Sequence, residues 1–286
     1  MATIWPAITG VLLVLLASAA ESGQAEPDEA GTSEAPFTIH WAVNPAPPFH
    51  IVEGPYQNQG MCDVLVDSLK DAMPGVNHTV STMPQSRIRY RVEQKKPLCF
   101  PCMIKRDVSP LYYYTNLTVV HPPLGIIMRR ATYMDVSDQG KSRVSLAGLT
   151  ANSSLRFGRP SARKYPDPLQ AILDRTDGAS NFFAISGEKA TVRVLEQIEL
   201  GRLDYTLEYP TILRYYRLTH ARDSLIYIPT EEVGNLPVPG AIGCTRSAWG
   251  KEAVQHINAA LDDVVDDERY QASQAFWQRI NEIDHP

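Results

Sequence analysis

The most constraining feature of the sequence is a proline-rich loop that follows a short apolar strand. Residues 37–43 are mostly β-branched or aromatic, and the segment NPAPPF follows at residues 44–49. Prolines fix φ and remove backbone donors, so a strand cannot continue through them. An apolar pattern at helical spacing then begins at Met61. The sequence therefore predicts a rigid loop that holds Phe49 between the carboxyl end of a strand and the start of a helix.

This strand, loop and helix resemble the start of the family 3 extracellular solute-binding proteins. In that family a PPF or PF loop ends the first strand, and spaced glycines and an aspartate lead into the first helix. Here Phe49 is followed by Gly54, Gly60 and Asp63. The resemblance continues to about residue 283 through further motifs, namely MPQSR at 83–87, GRLD at 201–204 and EYP at 208–210.

The predicted elements alternate in a way that indicates an α/β protein. In the first part, strands are predicted at 37–43, 77–82 and 98–104, and helices at 61–72 and 84–95. An extended run at 117–127, interrupted by two prolines, leads to strands at 155–158, 181–185, 204–208 and 225–228 and helices at 168–173 and 190–200. The last elements are a strand at 241–245 and helices at 247–265 and 269–283.

The resemblance implies a two-lobed type II periplasmic-binding-protein fold. Each lobe is expected to be a mostly parallel sheet flanked by helices, and two hinge crossings are expected to join the lobes. The implied division is a signal peptide (1–25), a disordered mature N-terminus (26–36), the first lobe (37–120 and 235–286) and the second lobe (121–234).

The N-terminus has the pattern of a secretory signal peptide. Residues 1–20 carry no charged side chain, residues 8–16 form an apolar centre, and small residues follow. An uncleaved membrane anchor is the alternative, since about 20 apolar residues can span a bilayer. Pro6, Gly10 and the small-residue exit favour cleavage, which predicts a periplasmic protein.

Charge and motif content exclude several functional classes. The net charge is −5 and the basic residues are scattered, whereas a nucleic-acid-binding protein needs a basic face. The C-x-x-C at residues 99–102 has no second ligand pair at zinc-site spacing. The histidines are scattered, and neither G-x-S-x-G nor H-E-x-x-H occurs. We therefore predict no cofactor, no metal and no nucleic-acid partner.

The four cysteines form an even set, which in an exported chain suggests disulfides. In lobes of this family, the third strand lies beside the strand that returns from the second lobe. The resemblance therefore implies a disulfide between Cys99 and Cys244. For Cys62 and Cys102, a second disulfide and a pair of small buried thiols both remain open.

In the first lobe, the resemblance assigns the proline loop to the ligand cleft. Asn44, Pro48 and Phe49 are expected to line it, with Phe49 packed on the apolar part of the ligand. The alternative is that Phe49 only plugs the edge of the sheet. Arg87, at a helix start, is expected to bind a carboxylate or phosphate with both guanidinium nitrogens, and a solvated helix face is the alternative.

The segment after the third strand departs from the family pattern. Amino-acid binders of the family usually carry T-x-x-R there, and the arginine holds the ligand carboxylate. Counting along this chain, Val108 or Ser109 stands in that place. Arg106 is the expected substitute, by way of a shifted loop. The departure argues against an amino-acid ligand.

In the second lobe, two segments are expected to reach the ligand. Arg159 and Ser161 lie in a turn whose backbone amides and hydroxyl suit an anion, although Ser161 is equally an ordinary N-cap. Glu208 and Tyr209 end a strand, where amino-acid binders usually place an acidic residue against the ligand ammonium group.

These features predict a periplasmic solute-binding protein. A small polar or anionic ligand, either an amino acid or another carboxylate, is expected to bind between the lobes and close them by a hinge motion. The expected partner of this monomer is an ABC permease or a membrane-bound sensor. Two alternatives remain, namely a periplasmic dehydratase of cyclohexadienyl acids with Glu208 as general acid, and an accessory protein with a degenerate cleft.

Overall fold

The computed structural model describes residues 35–136, 142–161, 163–176 and 178–279. The predicted signal peptide and most of the segment 26–36 lie outside the described residues. The strands are β1 (Thr38–Val43), β2 (Asn77–Thr82), β3 (Cys99–Ile104), β4 (Tyr112–His121), β5 (Gly125–Arg129), β6 (Phe157–Pro160), β7 (Phe182–Ile185), β8 (Tyr205–Glu208), β9 (Leu225–Pro229) and β10 (Val238–Thr245). The helices are α1 (Met61–Ala72), α2 (Gln85–Glu93), α3 (Arg130–Val136), α4 (Leu146–Ala151), α5 (Asp167–Arg175), α6 (Ala190–Glu199), α7 (Pro210–His220), α8 (Ala248–Val265) and α9 (Glu268–Trp277).

The first sheet has the strand order β2-β1-β3-β10-β4. Because side chains alternate along a strand, β1 buries Trp41 on one face and Ala42 on the other. The Trp41 face packs against α1, α8 and α9, with Leu65 and Leu261 in that core. The Ala42 face packs against α2 through Ile88. The sheet is therefore covered by helices on both sides.

The second sheet has the order β7-β6-β8-β5-β9. Its core contains Ile126 of β5, Phe157 of β6 and Leu207 of β8, together with Leu195 of α6 and Leu213 of α7. Within the described residues no helix is long and apolar enough to cross a membrane.

Each sheet is mixed rather than mostly parallel as predicted from the resemblance. Strand β1 runs parallel to β2 and β3, whereas β10 runs antiparallel to β3 and β4. Strand β6 runs parallel to β7 and β8, whereas β5 runs antiparallel to β8 and β9. The antiparallel strands are the ones that flank the two crossings between the sheets, where the chain leaves one sheet and later returns.

The chain passes between the sheets at residues 122–124 and again at 230–237. The lobe boundaries predicted near residues 120 and 234 stay a prediction. Helices α3, α4 and α7 were not predicted at all. Helix α7 begins with Pro210 at its first position, where proline is favoured because its missing N–H has no helical partner to lose.

Two disulfides tie the first sheet together. Cys99 of β3 stands directly opposite Cys244 of β10, with a Cα–Cα distance of 4.0 Å, and the two are bonded. The structure thus contains the expected pair on the expected neighbouring strands. Cys62, in the first turn of α1, is bonded to Cys102 of β3 at a Cα–Cα distance of 6.0 Å. The question left open for these two cysteines is answered by a second disulfide.

Candidate functional site

The loop that carries Phe49 is anchored to the start of α1. The first amides of a helix have no partner inside the helix, and here two of them hold the loop. Met61 N–H donates to the carbonyl of Pro48 at 3.0 Å, and Cys62 N–H donates to that of Phe49 at 2.9 Å. The Pro47–Pro48 peptide is cis. The proline loop predicted from the sequence is therefore fixed at its tip by helix α1.

Gly60 allows this close approach. A Cβ at Gly60 would lie 2.3 Å from the carbonyl oxygen of Phe49 and 2.8 Å from that of Pro48. We expect Gly60→Ala to lower the free energy of unfolding by about 1–3 kcal/mol, because backbone atoms must shift to admit the methyl group. Urea unfolding checks this, with Gly75→Ala as the matched control because a Cβ there meets nothing within 4 Å. Equal stability of the two variants would contradict the prediction.

Asp63 organises the polar side of the same loop. Its carboxylate accepts from the amide of Ile51 at 2.8 Å and from that of Gly60 at 3.1 Å. Nδ1 of His50 lies 2.7 Å from the other carboxylate oxygen. His50 is buried, and its Nε2 has no hydrogen-bond partner among the described residues. Asp63 thus fixes the His50 ring and leaves one ring nitrogen unsatisfied.

An aromatic cluster joins the two sheets beside this loop. The ring of Phe49 meets His121, at the end of β4, edge-on with centroids 5.3 Å apart. It meets Tyr209, after β8, at 5.7 Å, and the His121 and Tyr209 rings are 5.1 Å apart. Phe49 is therefore packed between residues that belong to different sheets.

A buried ion pair lies behind Tyr209. The Arg163 guanidinium donates to a carboxylate oxygen of Glu208 and sits 5.4 Å from the Tyr209 ring centroid. Burial disfavours the charged form of Arg163, but the neighbouring Glu208, Tyr209 and Tyr165 outweigh this and raise its pKa. Glu208 is 1% exposed, and its second oxygen has no partner in the described part of the chain. Arg163 therefore stays cationic.

Two further ion pairs connect the first part of the chain to the second. Arg106, after β3, donates to the Asp167 carboxylate and, at 2.9 Å, to the carbonyl of Tyr165. Lys189 lies 2.5 Å from a carboxylate oxygen of Glu53. These contacts join segments that flank different sheets.

A cavity of about 440 Å³ lies between the two sheets, within the volume range of small-molecule sites. Its walls come from the proline loop, α2, β3 and the loop after it, the end of β4, the segment before α5, and Tyr209. The lining residues are Asn44, Ala46, Phe49, His50, Gln85, Ile88, Arg89, residues 100–104, Arg106, residues 108–112, Tyr114, His121, Arg163, Lys164, Asp167, Gln170 and Tyr209.

A smaller cavity of about 80 Å³ adjoins the first. It shares Asn44, Ala46, Gln85 and Arg163 with the larger cavity. Its other walls are the starts of α2 and α6 and the segment after β6 that contains Ser161. The described residues contain no group of three His, Cys, Asp or Glu side chains able to hold a metal ion.

Solved structures similar to this one include binding proteins of ABC transporters and a sensor domain. A putative L-cystine ABC transporter from Listeria monocytogenes matches with a TM-score of 0.63 and 15% identity, covering 87% of this chain and 99% of that one. An ABC uptake transporter substrate-binding protein from Streptococcus pneumoniae, with bound histidine, matches with a TM-score of 0.63 and 12% identity. The match covers 84% of this chain and 92% of that one. A histidine kinase sensor domain similar to periplasmic binding proteins matches with a TM-score of 0.62 and 12% identity. The match covers 88% of this chain and 99% of that one.

The chain has the two-lobed fold of the type II periplasmic binding proteins. No family model and no curated protein matches its sequence. The similarity is therefore one of structure, and the fold implied by the resemblance is confirmed. Both cavities of this protein lie in the cleft between the two lobes.

The periplasmic-binding fold places the predicted ligand residues unevenly. Those on the wall of the larger cavity are Asn44, Phe49, Arg106 and Tyr209, and Ser161 lines the smaller one. All five therefore meet in the cleft, although they are distant in the sequence.

Four predicted ligand residues lie off the cavity walls. Arg87 is exposed and lines neither cavity, which fits the alternative of a solvated helix face. Pro48 is buried within the proline loop, and its carbonyl accepts from the Met61 amide at the start of α1. Arg159 lies within β6, outside both linings. Glu208 is occupied by Arg163, so it does not face the cavity as an acceptor for a ligand ammonium group.

The cleft also contains residues that the sequence analysis did not single out. Arg163, His50, His121 and Lys164 all line the larger cavity. His50 follows Phe49 directly in the sequence, so its position next to the PPF motif was the available signal. No sequence signal marked Arg163 or His121, because each is defined by a partner that is distant in the sequence. Arg163 pairs with Glu208, 45 residues further along, and His121 packs on Tyr209, 88 residues further along.

The buried His121 gives the protein a specific acid sensitivity. Burial, assisted by the charge of Arg163, lowers the pKa of His121 from 6.5 to about 4. The imidazole of His121 is therefore protonated near pH 6.5 in the unfolded chain but only near pH 4 in the folded chain. This contribution to stability is fully present above pH 6.5 and is lost as the pH falls, by about 3 kcal/mol at pH 4.

We expect His121→Phe to remove that part of the acid sensitivity. Denaturant unfolding of both proteins at pH 7 and pH 4 should show the wild type losing about 3 kcal/mol more than the variant. The same substitution at His40, a half-buried histidine outside both cavities, is the control, and it should not reduce the loss between pH 7 and pH 4 by this amount. Equal losses in the wild type and His121→Phe would contradict the assignment.

Proposed function

We propose that this protein is a periplasmic solute-binding protein that captures a small polar or anionic ligand between its two lobes. The observation that carries this proposal is the cavity of about 440 Å³ with cationic groups on both sides of the cleft. Arg89 and Arg106 come from the first lobe, and Arg163 and Lys164 come from the second. Such a site gains contacts from both lobes only when they approach each other.

Unsatisfied polar atoms at the cavity support a role in binding. His50 and His121 both line it, and each has one buried ring nitrogen without a hydrogen-bond partner among the residues described. Buried polar atoms normally have partners. A bound solute that accepts or donates a hydrogen bond would supply them, which favours a functional cleft over a degenerate one.

The contacts between the lobes fit a hinge mechanism. The ion pairs Arg106–Asp167 and Lys189–Glu53 and the edge-on contact of Phe49 with Tyr209 all join segments of different lobes. A ligand that touches both lobes favours the state in which these contacts form. Residues 122–124 and 230–237 are the segments about which such a motion would turn.

The partner that recognises the closed, ligand-bound state is an ABC transporter or a membrane-bound sensor. The structural neighbours include proteins of ABC transporters and a sensor domain of a histidine kinase. We propose that this monomer acts in the periplasm, where its signal peptide would deliver it and where its two disulfides are favoured.

Binding without covalent chemistry is favoured over a dehydratase activity. A dehydratase would need an acid in the cleft, and the predicted one, Glu208, is turned to Arg163. Asp167 is the only carboxylate on the cavity wall among the described residues, and its side chain is 84% exposed and paired with Arg106. Burial raises the pKa of Glu208, but this residue does not line the cavity.

Thermal denaturation in the presence of a solute panel tests the proposal. A tight ligand stabilises the folded protein by mass action and so raises Tm. At a free ligand concentration of one hundred times Kd, the free energy of unfolding rises by about 2.7 kcal/mol. Mass spectrometry of solute released on unfolding identifies a ligand that remains bound through purification. We expect Phe49→Ala to weaken the effect at least tenfold in Kd, while Phe183→Ala, on an exposed position outside the cavity, does not. A ligand bound equally by both variants would contradict the cleft as its site.

A further inference from the structure

We propose that the ligand is a carboxylate with an aromatic or aliphatic apolar body and with no ammonium group. This inference rests on the proposed function and narrows the class of solute that the same cleft accepts. It separates this protein from a receptor for zwitterionic amino acids.

The charge on the cavity wall favours an anion. Four permanent cations line it, namely Arg89, Arg106, Arg163 and Lys164, against the single carboxylate of Asp167. Arg106, Arg163 and Arg89 pair with Asp167, Glu208 and Glu93, respectively, so the charge of Lys164 remains uncompensated. An anion entering this space is attracted, and a zwitterion brings a second charge of the wrong sign.

The wall of the larger cavity offers no unpaired carboxylate to receive an ammonium group, and Glu188, on the wall of the smaller cavity, is exposed. Glu208 is 1% exposed and holds Arg163, so reaching it would require breaking a buried ion pair. Asp167 already accepts from Arg106. An ammonium group in the cavity would therefore lose its hydration among cations, and an unpaired buried charge is costly.

Lys164 is the cation available to the ligand. Arg106 and Arg163 each hold a partner across the cleft or behind it, and Arg89 pairs with Glu93 on its own helix at 2.9 Å. Lys164 is exposed and forms no ion pair with any described residue. Its ammonium can turn to the carboxylate of a ligand without breaking another contact.

Much of the remaining wall of the cavity is apolar or aromatic. Phe49, Ile88, Phe100, Leu111 and Tyr112 all contribute to it. Burying an apolar group there is favourable by roughly 25 cal/mol per Å² of surface removed from water. Apolar walls with a few polar groups at one side suit a ligand with a carboxylate at one end and a hydrocarbon body at the other.

Four compounds that share one carbon skeleton test the proposal. They are 3-phenylpropionate, L-phenylalanine, 3-phenylpropanamide and 3-phenylpropylamine, and hexanoate and L-norleucine form a second, aliphatic pair. Titration calorimetry measures Kd for each with the full mature protein. We expect 3-phenylpropionate or hexanoate to bind at least tenfold tighter than the amino acid of the same skeleton, and the amide and amine to bind more weakly than the carboxylate.

Lys164→Gln should weaken carboxylate binding several-fold and reduce its dependence on salt. Lys251→Gln, the same change at an exposed position of α8 outside both cavities, should leave Kd unchanged. Unfolding curves of both variants should overlay that of the wild type, because both side chains are exposed.

The possible outcomes separate this inference from the function on which it rests. Tighter binding of L-phenylalanine or L-norleucine than of the matching carboxylate overturns the ligand class and leaves a solute-binding protein. Equal Kd values for carboxylate and amide overturn the role of the charge. If no compound of either set binds while another solute is released from the purified protein, the ligand class fails and the function stands. If nothing binds and nothing is released, both fail.

Discussion

Replacing Arg163 by methionine is expected to lower the free energy of unfolding by about 3–5 kcal/mol. The change leaves the Glu208 carboxylate buried with 1% exposure and without its counter-charge. It also removes the cation that sits 5.4 Å from the Tyr209 ring. Urea unfolding at pH 7 measures the loss.

The double variant Arg163→Met/Glu208→Gln is expected to recover most of that stability. A neutral amide no longer needs a counter-charge, and replacing a buried ion pair by groups of similar volume is often nearly neutral. The double-mutant cycle, completed by Glu208→Gln alone, should therefore show strong coupling. Strictly additive effects of the two substitutions would contradict a buried ion pair between these residues.

Removing the disulfide between Cys99 and Cys244 is the second substitution with a large expected effect. In the chain-entropy description, a cross-link stabilises by restricting the unfolded state, and the effect grows with the length of chain it closes. The two cysteines are 145 residues apart in sequence, whereas Cys62 and Cys102 are 40 apart. The expected losses are about 5 and about 4 kcal/mol, respectively.

Denaturant unfolding of Cys99→Ala/Cys244→Ala and of Cys62→Ala/Cys102→Ala, without reductant, measures the two losses. The first variant should be the less stable of the two. Cys102 lines the ligand cavity whereas Cys99 and Cys244 do not, so only the second variant should also change ligand affinity. A larger loss of stability from the short loop would show that local strain or packing outweighs the chain-entropy effect.

The elements of the first sheet were predictable because their signals are local. Helix α1 and strand β2 occupy the predicted residues 61–72 and 77–82. Helical periodicity and turn residues at both ends define them without help from the rest of the chain. The GRLD motif at 201–204 begins just after α6, and its glycine, Gly201, has a φ of +68°, which is the left-handed geometry that glycine adopts at helix ends.

Helix α7 shows where local signals were misjudged. The prediction ended the preceding strand at Glu208-Tyr209-Pro210 and placed no element between it and the strand at 225–228. Proline instead opens a helix of eleven residues, Pro210–His220. The mixed direction of the sheets was likewise not derivable from the strand pattern, because strand direction depends on where the two crossings return the chain.

The residues of the proposed ligand site were predictable only where one motif contains them. Phe49 and Asn44 line the cleft because the proline loop leads directly to it. Glu208 was correctly placed at a strand end, but its burial behind Arg163 follows from a contact across 45 residues. Electrostatic roles of this kind depend on which charges the fold brings together, and a single sequence gives no measure of that.

The most direct test of the central claim is a distance across the cleft. Helices α2 and α6 both begin at the smaller cavity, from opposite lobes. Nitroxide labels at Tyr90→Cys and Arg193→Cys, two exposed positions on these helices, report their separation by double electron–electron resonance. All four native cysteines are in disulfides, so only the new ones react. We predict a long, broad distance distribution after bound solute is removed, and a single shorter distance when the released solute is added back. One unchanged distribution under both conditions would contradict a solute-binding cleft between two lobes.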